Sequence, residues 1–382
     1  MVGGHRDGAP VHGESDSGDG EVAHGTNLYD LSNRNPRKSR VPRSITRRAY
    51  SADVGSPWIR RPVTCLGVAV LALVLVVLAP VWVPIAVVYD LIGGRQRVPT
   101  VRLLFFAVLW AWLEVVAVAS STVLWLVGRG RNRNAHYALQ RWWSARVIDS
   151  LRLSLGLRVD VEVPDDWGSG PYVALCRHAS LGDAIMSCWV LSTTGGLKPR
   201  YVLKKELKML PALDIFGGRL PNYFVDRGSS NVSAELTGIE QMADGLVGKQ
   251  VAVIFPEGSR ASAKKREKEL ARLRSRNPVR ASRMESLRRL LPPKSAGASA
   301  LLATVPDADV LLMWHTGFDG LDTFGGILER LRDGRPHARM VVTRWHREDV
   351  DRAGSFADWL DDRWLEMDDA VARAMGDLSS RA

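Results

Sequence analysis

Two long apolar runs near the start of the chain limit what it can fold into. No charged residue occurs from Pro62 to Tyr89, and the second run, Leu103 to Val127, is interrupted only by Glu114. A helix rises about 1.5 Å per residue, so either run could cross a hydrocarbon core of roughly 30 Å. Because the link between them, Asp90 to Arg102, is short, the sequence predicts a membrane hairpin of two apolar helices within residues 59–130.

The charges around this hairpin bear on its position in a membrane. Arginines flank it on both outer sides, at Arg60, Arg61, Arg129, Arg131 and Arg133. Cytoplasmic loops carry an excess of Lys and Arg, so both ends of the hairpin, and the part of the chain that follows it, are expected to face the cytoplasm. Two arrangements stay open. The hairpin spans the bilayer, which we favour, or it dips into one leaflet, with Pro80 and Pro84 bending the first helix and Glu114 near the interface.

The segments on either side of the hairpin differ in character. Residues 1–58 are rich in Gly, Ser, Asp, Arg and Pro without apolar periodicity, which predicts a disordered basic tail. In residues 131–382 short apolar runs alternate with helical stretches, which predicts an α/β domain with a central sheet covered by helices. Helices are expected over residues 134–155 and from Ser180 to Ser192. The expected strands are Val159–Val163, Tyr172–Leu175, Tyr201–Leu203, Tyr223–Val225, Val251–Phe255, Val310–Trp314 and Met340–Val342.

Charge and cysteine content narrow the classes of partner. The chain has 52 Lys and Arg against 41 Asp and Glu, a net charge of +11, which suits nucleic acid, a membrane surface or a phosphorylated substrate. Nucleic acid is not expected, because the basic residues come with a membrane hairpin and no nucleic-acid-binding motif. The three cysteines, Cys65, Cys176 and Cys188, show no spacing typical of a disulfide framework or a metal cluster, so no metal is expected.

The first motif with chemical content joins His178 to Asp183. His178 follows a predicted strand on a loop that leads into a predicted helix, and Ser180 is a favourable N-cap for that helix. Residues five apart do not share a helix face, but the two side chains meet if His178 lies outside the helix and Asp183 in its first turn. A histidine oriented by a carboxylate can act as a general base. The alternative is a surface histidine beside a capping aspartate.

The second motif is the segment Val251 to Arg260, with the sequence VAVIFPEGSR. A buried strand leads into a loop in which Gly258 allows close approach of a ligand. Glu257 could accept a hydrogen bond from a substrate hydroxyl, and Arg260 could bind a phosphate or carboxylate. The alternative is an ordinary turn after a strand.

Two further clusters carry positive charge. Tyr223 to Arg227, with the sequence YFVDR, is a short strand that ends in an arginine suited to an anionic headgroup, or else in a solvated Asp–Arg pair. Lys204 and Lys205 begin a basic cluster with apolar neighbours, which could bind phosphate or simply start a solvated helix.

In this order the motifs resemble those of the glycerolipid acyltransferase family, which includes the 1-acylglycerol-3-phosphate acyltransferases. His178 to Asp183 matches the family's His-x4-Asp catalytic motif, and Phe224 to Arg227 is similar to its Phe-x-x-Arg acceptor motif. Phe255 to Arg260 is similar to its Phe-Pro-Glu-Gly-Thr-Arg motif, with Ser259 in place of threonine. The segment Leu290 to Gly297 is similar to the lysocardiolipin and lysophosphatidylinositol acyltransferase branch.

The resemblance implies a central mixed sheet covered by helices and a set of functional residues. Catalytic roles fall to His178 and Asp183. The implied substrate-binding residues are Lys204, Lys205, Phe224, Arg227, Glu257, Gly258, Ser259 and Arg260.

The resemblance also implies the reaction. A fatty acyl chain would pass from acyl-coenzyme A or acyl carrier protein, as co-substrate and without a cofactor, to the hydroxyl of a lysophospholipid, first of all 1-acylglycerol-3-phosphate. Membrane lipids are the other implied partners. Pro221 stands where the family often has glycine, which leaves the acceptor open. The alternatives are a glycolipid or other membrane hydroxyl as acceptor, and a non-catalytic membrane-binding scaffold.

A densely basic insertion, about residues 261–295, interrupts the predicted domain. Leucines are interspersed among its Lys and Arg residues from Lys264 to Arg289. This pattern predicts a basic amphipathic element that rests on anionic lipid or receives the phosphates of coenzyme A. The alternative is a solvated helical insertion.

Overall fold

The computed structural model describes residues 55–180, 182–226, 228, 229, 231–319 and 324–380. The predicted tail, residues 1–58, therefore lies outside the described residues except for its last four positions.

The first apolar run forms two helices where the sequence predicted one. The hairpin consists of α1 (Pro57–Val77), α2 (Ala79–Ile92) and α3 (Pro99–Leu126). Pro80 lies in the first turn of α2, where its missing N–H costs nothing, but it cannot continue the hydrogen bonding of α1. The indole nitrogen of Trp82 donates to the carbonyl of Leu75 at 2.7 Å, across the break at Leu78. By length and composition, α1 and α3 could each cross a membrane.

A buried aspartate closes the turn between α2 and α3. The carboxylate of Asp90 accepts hydrogen bonds from the backbone N–H of Thr100 at 2.8 Å and from its hydroxyl at 2.7 Å. These bonds satisfy donors at the start of α3 that have no partner within the helix. The two arms of the hairpin are therefore held together by polar contacts as well as by packing.

The catalytic part contains one mixed sheet of seven strands, as predicted. The strands are β1 (Arg158–Glu162), β2 (Tyr172–Cys176), β3 (Lys198–Lys204), β4 (Tyr223–Val225), β5 (Gln250–Ile254), β6 (Asp309–Thr316) and β7 (His337–Trp345). Their order is β1-β7-β6-β2-β5-β3-β4. Five neighbouring strands from β6 to β4 are parallel, and β7 pairs antiparallel with β6 and parallel with β1. Each predicted strand is present.

Helices cover both faces of the sheet. They are α4 (Arg133–Leu155), α5 (Asp183–Trp189), α6 (Pro211–Ile215), α7 (Val232–Ala243), α8 (Ala263–Arg276), α9 (Pro278–Met284), α10 (Ser295–Thr304), α11 (Phe324–Asp333), α12 (Arg347–Arg352) and α13 (Phe356–Ser380). A π-helical turn, Val190–Thr194, extends α5, and 3-10 turns occupy Lys205–Met209 and Gly217–Arg219. Alternate residues of β2 enter two cores: Val173 and Leu175 pack with α7, α8, α10 and α13, and Tyr172 and Ala174 pack with α4 and α5.

The helix predicted from Ser180 starts later than expected. It begins at Asp183 with Gly182 at the N-cap position, so the prediction that Ser180 is the N-cap was wrong. The physical reason is that the Asp183 carboxylate accepts the backbone N–H groups of Ala179 and Ser180, which holds both residues in the loop.

The basic insertion forms α8 and α9, and its apolar residues face the protein core. The buried members of the pattern are Leu270, Leu273, Met284, Leu287 and Leu290. An apolar face used for core packing is not free to enter a lipid layer. Contact with anionic lipid or with the phosphates of coenzyme A would therefore involve the exposed basic face of the insertion, and it stays a prediction.

Polar contacts join the hairpin to the catalytic part. Arg60 of α1 makes a bidentate pair with Asp214 of α6, at 2.9 and 3.2 Å, and both side chains are buried. Glu114 of α3, fully buried, accepts a hydrogen bond from the backbone N–H of Ala212 at 3.0 Å. Near the start of α3, Arg102 donates to the carbonyl of Ser154, at the end of α4. The hairpin is therefore packed along the catalytic part instead of projecting from it.

Candidate active site

The site lies where parallel strands end. The chain leaves β2 into His178, leaves β5 into Glu257 and leaves β6 after Thr316, and these three strands are neighbours. Ligands of open α/β sheets bind beyond the carboxyl ends of the strands, where loops from separate parts of the chain meet. The order of the strands thus brings together motifs that are far apart in the sequence.

His178 and Asp183 are in contact, as the spacing predicted. Nδ1 of His178 lies 2.8 Å from Oδ2 of Asp183. The His178 side chain is 20 % exposed while that of Asp183 is only 2 % exposed, so the histidine alone can meet a substrate. The loop conformation that makes this possible is local, since the aspartate binds the amides of the two residues that follow the histidine.

Asp183 is held in its ionised form despite its burial. Burial by itself raises the pKa of a carboxyl group. The charge of His315 and hydrogen bonds from His178 and His315 outweigh that effect, and the pKa of Asp183 falls well below its usual range. The hydroxyl of Ser180 also donates to Oδ1. An ionised carboxylate at this position can orient the imidazole and stabilise the imidazolium form.

Glu257 binds the backbone of two other segments. Its Oε1 accepts the N–H of His178 at 2.7 Å, and its Oε2 accepts the N–H of Leu291 at 2.9 Å. The side chain is 1 % exposed, and burial raises its pKa to about 8 in spite of these hydrogen bonds. A second contact supports the arrangement, because the N–H of Ala261 donates to the carbonyl of His178 at 2.8 Å. Glu257 therefore holds the His178 loop in place, and its predicted contact with a substrate hydroxyl stays a prediction.

The rest of the second motif presents cations beside this loop. Gly258 has a φ of +68°, in the left-handed region that glycine adopts without strain, and the Lys294 side chain passes beside it. Ser259 and Arg260 are both half-buried. Nη1 of Arg260 is buried and has no hydrogen-bond partner among the described residues. Such a donor is available to an anionic ligand.

The third motif lies at the outer edge of the sheet. Phe224 is 9 % exposed and belongs to the core, with Nζ of Lys208 at 5.0 Å from its ring centroid. Lys205 pairs with Asp226 at 2.6 Å, and Lys204 is exposed. The predicted acceptor residue Arg227 lies outside the described residues. The predicted substrate-binding roles of these residues stay predictions.

Two functional candidates, His315 and Arg177, escaped the sequence analysis. His315 lies near the end of β6 with its Nε2 at 2.8 Å from Oδ1 of Asp183. Arg177, which precedes His178, is buried and binds the carbonyl of His315 and the carboxylate of Asp319. Only the pairing of β6 with β2 brings these residues together. No signal within either segment indicates that pairing.

The described residues also bear on two other kinds of site, a cysteine nucleophile and a metal centre. The Cys176 thiol is buried, and burial raises its pKa far above the usual range, which disfavours a thiolate nucleophile. No group of three His, Cys, Asp or Glu residues suited to a metal ion occurs among the described residues.

The comparison with known families finds one match within the chain. Residues 158–313 match the family model described as Acyltransferase, which supports the acyltransferase family that the motifs predicted. No curated protein sequence gives a significant match to the chain.

Among solved structures, the chain is similar to the crystal structure of the 1-acyl-sn-glycerophosphate (LPA) acyltransferase PlsC from Thermotoga maritima. The two are 16 % identical, the alignment covers 70 % of this chain and 97 % of that chain, and the TM-score is 0.39. The predicted lysocardiolipin and lysophosphatidylinositol branch stays a prediction.

Proposed function

We propose that this chain moves a fatty acyl group from acyl-coenzyme A or acyl carrier protein to the hydroxyl of a lysophospholipid, with 1-acylglycerol-3-phosphate as the first acceptor to test. The observation that carries the proposal is the contact of His178 with an ionised Asp183 inside an acyltransferase-family domain. A scaffold without catalytic function would have no need of this buried, hydrogen-bonded carboxylate beside a partly exposed histidine.

The contact with Asp183 indicates which ring nitrogen of His178 carries the proton. A carboxylate only accepts hydrogen bonds, so the proton of neutral His178 lies on Nδ1, which faces Asp183. Nε2 then has a free lone pair and takes the proton of the acceptor hydroxyl while its oxygen attacks the thioester carbonyl. A carbon–oxygen bond forms, the carbon–sulfur bond breaks, and the proton passes to the leaving sulfur. Asp183 stabilises the imidazolium between these two transfers.

The backbone N–H groups of residues that follow His178 already donate hydrogen bonds within the loop. Those of Ala179 and Ser180 donate to Asp183, and that of Gly182 donates to the Ser180 hydroxyl. We therefore do not assign stabilisation of the oxyanion to these amides. The buried, unsatisfied Nη1 of Arg260 supports a role for this residue in binding the anionic group of the acceptor.

The hairpin supports a place at the membrane, with the catalytic part facing the cytoplasm. Between Arg102 and Ser121, α3 contacts the catalytic part at both ends and at the buried Glu114. Arg146 and Asp149 of α4 lie beside α3. If α3 crossed the bilayer along its normal, these charged residues would enter the hydrocarbon core, which is energetically unfavourable. We therefore propose that the hairpin enters one leaflet, in place of the spanning arrangement that the sequence favoured.

An acyl-transfer assay on purified protein in detergent tests the proposed reaction. Labelled palmitoyl- and oleoyl-coenzyme A and acyl carrier protein thioesters would be offered with a panel of lysophospholipids and glycolipids. Wild type would be compared with His178→Ala and with the matched control His346→Ala, whose imidazole is exposed at the start of α12. We expect transfer by wild type and the control and none by His178→Ala. Transfer by His178→Ala at the wild-type rate, or by no variant with any donor, would refute the proposal.

A further inference from the structure

A second histidine contacts the catalytic aspartate from within the protein. His315 is 2 % exposed, and its Nε2 lies 2.8 Å from Oδ1 of Asp183, while His178 contacts Oδ2 of the same carboxylate. Nδ1 of His315 has no hydrogen-bond partner among the described residues, and the one polar contact of Nε2 there is the 2.8 Å contact with Asp183, which is not aligned as an ideal hydrogen bond. Burying an imidazole whose nitrogens lack hydrogen-bond partners destabilises the fold. The one polar contact that His315 makes therefore needs an explanation.

We infer that His315 is a positioning residue, which holds Asp183 ionised and correctly oriented so that His178 can act as the base. The inference rests on the proposed function for the role of His178. It adds a group that never touches substrate and acts only through Asp183.

The chemistry of the buried carboxylate supports this role. Asp183 must stay an anion when His178 gains a proton, although burial favours the neutral acid. Because its oxygens only accept, the nitrogen of His315 that faces Oδ1 must carry a proton. His315 thus stabilises the anion on the side away from substrate. Without it, the donors to Oδ1 among the described residues are the backbone N–H of Ser180 at 3.0 Å and the Ser180 hydroxyl.

The fold holds His315 in place through its neighbours. Cys176 pairs with Met313 across β2 and β6, so His178 and His315, each two residues further on, are level with each other. Arg177 donates to the carbonyl of His315. The Phe318 ring packs edge-on against the imidazole, with 5.8 Å between the centroids. Backbone and ring are therefore both fixed, which suits a residue whose function is to orient another.

Steady-state kinetics of two variants test the inference. His315→Leu removes the donor and keeps an apolar side chain, while His315→Gln keeps an N–H donor. We expect kcat of His315→Leu to fall roughly 10- to 100-fold, the value of a lost charged hydrogen bond, with KM for both substrates unchanged. We expect His315→Gln to recover most of that loss. Met313→Leu, a volume-conserving change at a buried site on the same strand, serves as the control and should keep the wild-type kcat.

Two kinetic outcomes would overturn the inference. One is a wild-type kcat in His315→Leu. The other is an equal loss in the Leu and Gln variants, which would indicate a packing role alone.

A double-mutant cycle on thermal unfolding tests the contact without any need for activity. His315→Leu, Asp183→Asn and the double variant would be melted beside wild type. If the two side chains interact, the double variant is less destabilised than the sum of the two single effects. Additive shifts in melting temperature would show that the contact contributes nothing. A protein without transferase activity but with coupled shifts would refute the proposed function and leave the His315–Asp183 contact established.

Discussion

Glu257 offers the sharpest test of how this site is held together. Its two oxygens accept the backbone N–H groups of His178 and Leu291. In Glu257→Gln one oxygen remains as an acceptor, and the new amide NH2 faces the other backbone N–H. The side-chain amide N–H and this backbone N–H are both donors, and they then face each other at the length of the former hydrogen bond.

The loss in the free energy of unfolding follows from the number of backbone N–H groups that no longer have Glu257 as acceptor. One buried N–H left without an acceptor destabilises the fold by about 1–3 kcal/mol. Glu257→Ala leaves two such N–H groups without an acceptor, which costs about 2–6 kcal/mol. Against a total stability of about 5–15 kcal/mol, the Gln variant folds, while the Ala variant comes close to unfolding. A shift of about 1 Å in the backbone of His178 would lower kcat about 100-fold.

Chemical unfolding and steady-state kinetics measure these effects together. We expect Glu257→Gln to lose stability and kcat while KM for the acceptor stays constant. The matched control is Glu267→Gln, an exposed position on α8, which should change neither quantity. A variant with normal kcat and stability but raised KM for the acceptor would refute this reasoning. That result would support instead the direct contact between Glu257 and the acceptor hydroxyl that the motif suggested.

The remaining predictions concern charge, pH and topology. Asp183→Asn should lower kcat by roughly 10²- to 10⁴-fold without raising KM, because the imidazole of His178 loses its orienting anion; a loss below threefold would contradict this. Burial raises the pKa of Glu257 to about 8, so the stability that its neutral form contributes is complete below about pH 4 and is lost as the pH rises through about 8. The melting temperature of wild type should therefore fall from about pH 5 to about pH 9, and that of Glu257→Gln should fall less; parallel curves would count against the assignment. Asp214→Asn should destabilise the protein by about 3–5 kcal/mol, since it removes the buried negative charge that pairs with Arg60 and Arg61; an unchanged unfolding midpoint would argue against that buried pair. In vesicles, Gly94→Cys in the hairpin turn should react with an impermeant maleimide from the same side as the catalytic part, and reaction only from the opposite side would show that the hairpin spans the bilayer.

Local patterns in the sequence account for much of this protein. The apolar runs predicted the hairpin, and alternating short runs predicted a helix-covered sheet whose strands are all present. The contact of His178 with Asp183 was predictable for the same reason, because one loop and one helical turn bring the two together. Pro80, in the first turn of α2, is the sequence feature that accounts for the break at Leu78.

Other features depended on the order in which the strands pair. A buried apolar strand can hydrogen-bond to any other, so the sequence does not state that β2 lies between β5 and β6. That order alone brings Glu257 to the backbone of His178 and His315 to Asp183. The leucines of α8 are a similar case, since an apolar stripe fits a lipid surface and a protein core equally well. The sequence by itself therefore determined the candidate pair His178 and Asp183 and their local contact. Only the tertiary structure decided which distant groups support them, because that support consists of hydrogen bonds between strands and loops whose pairing no single segment encodes.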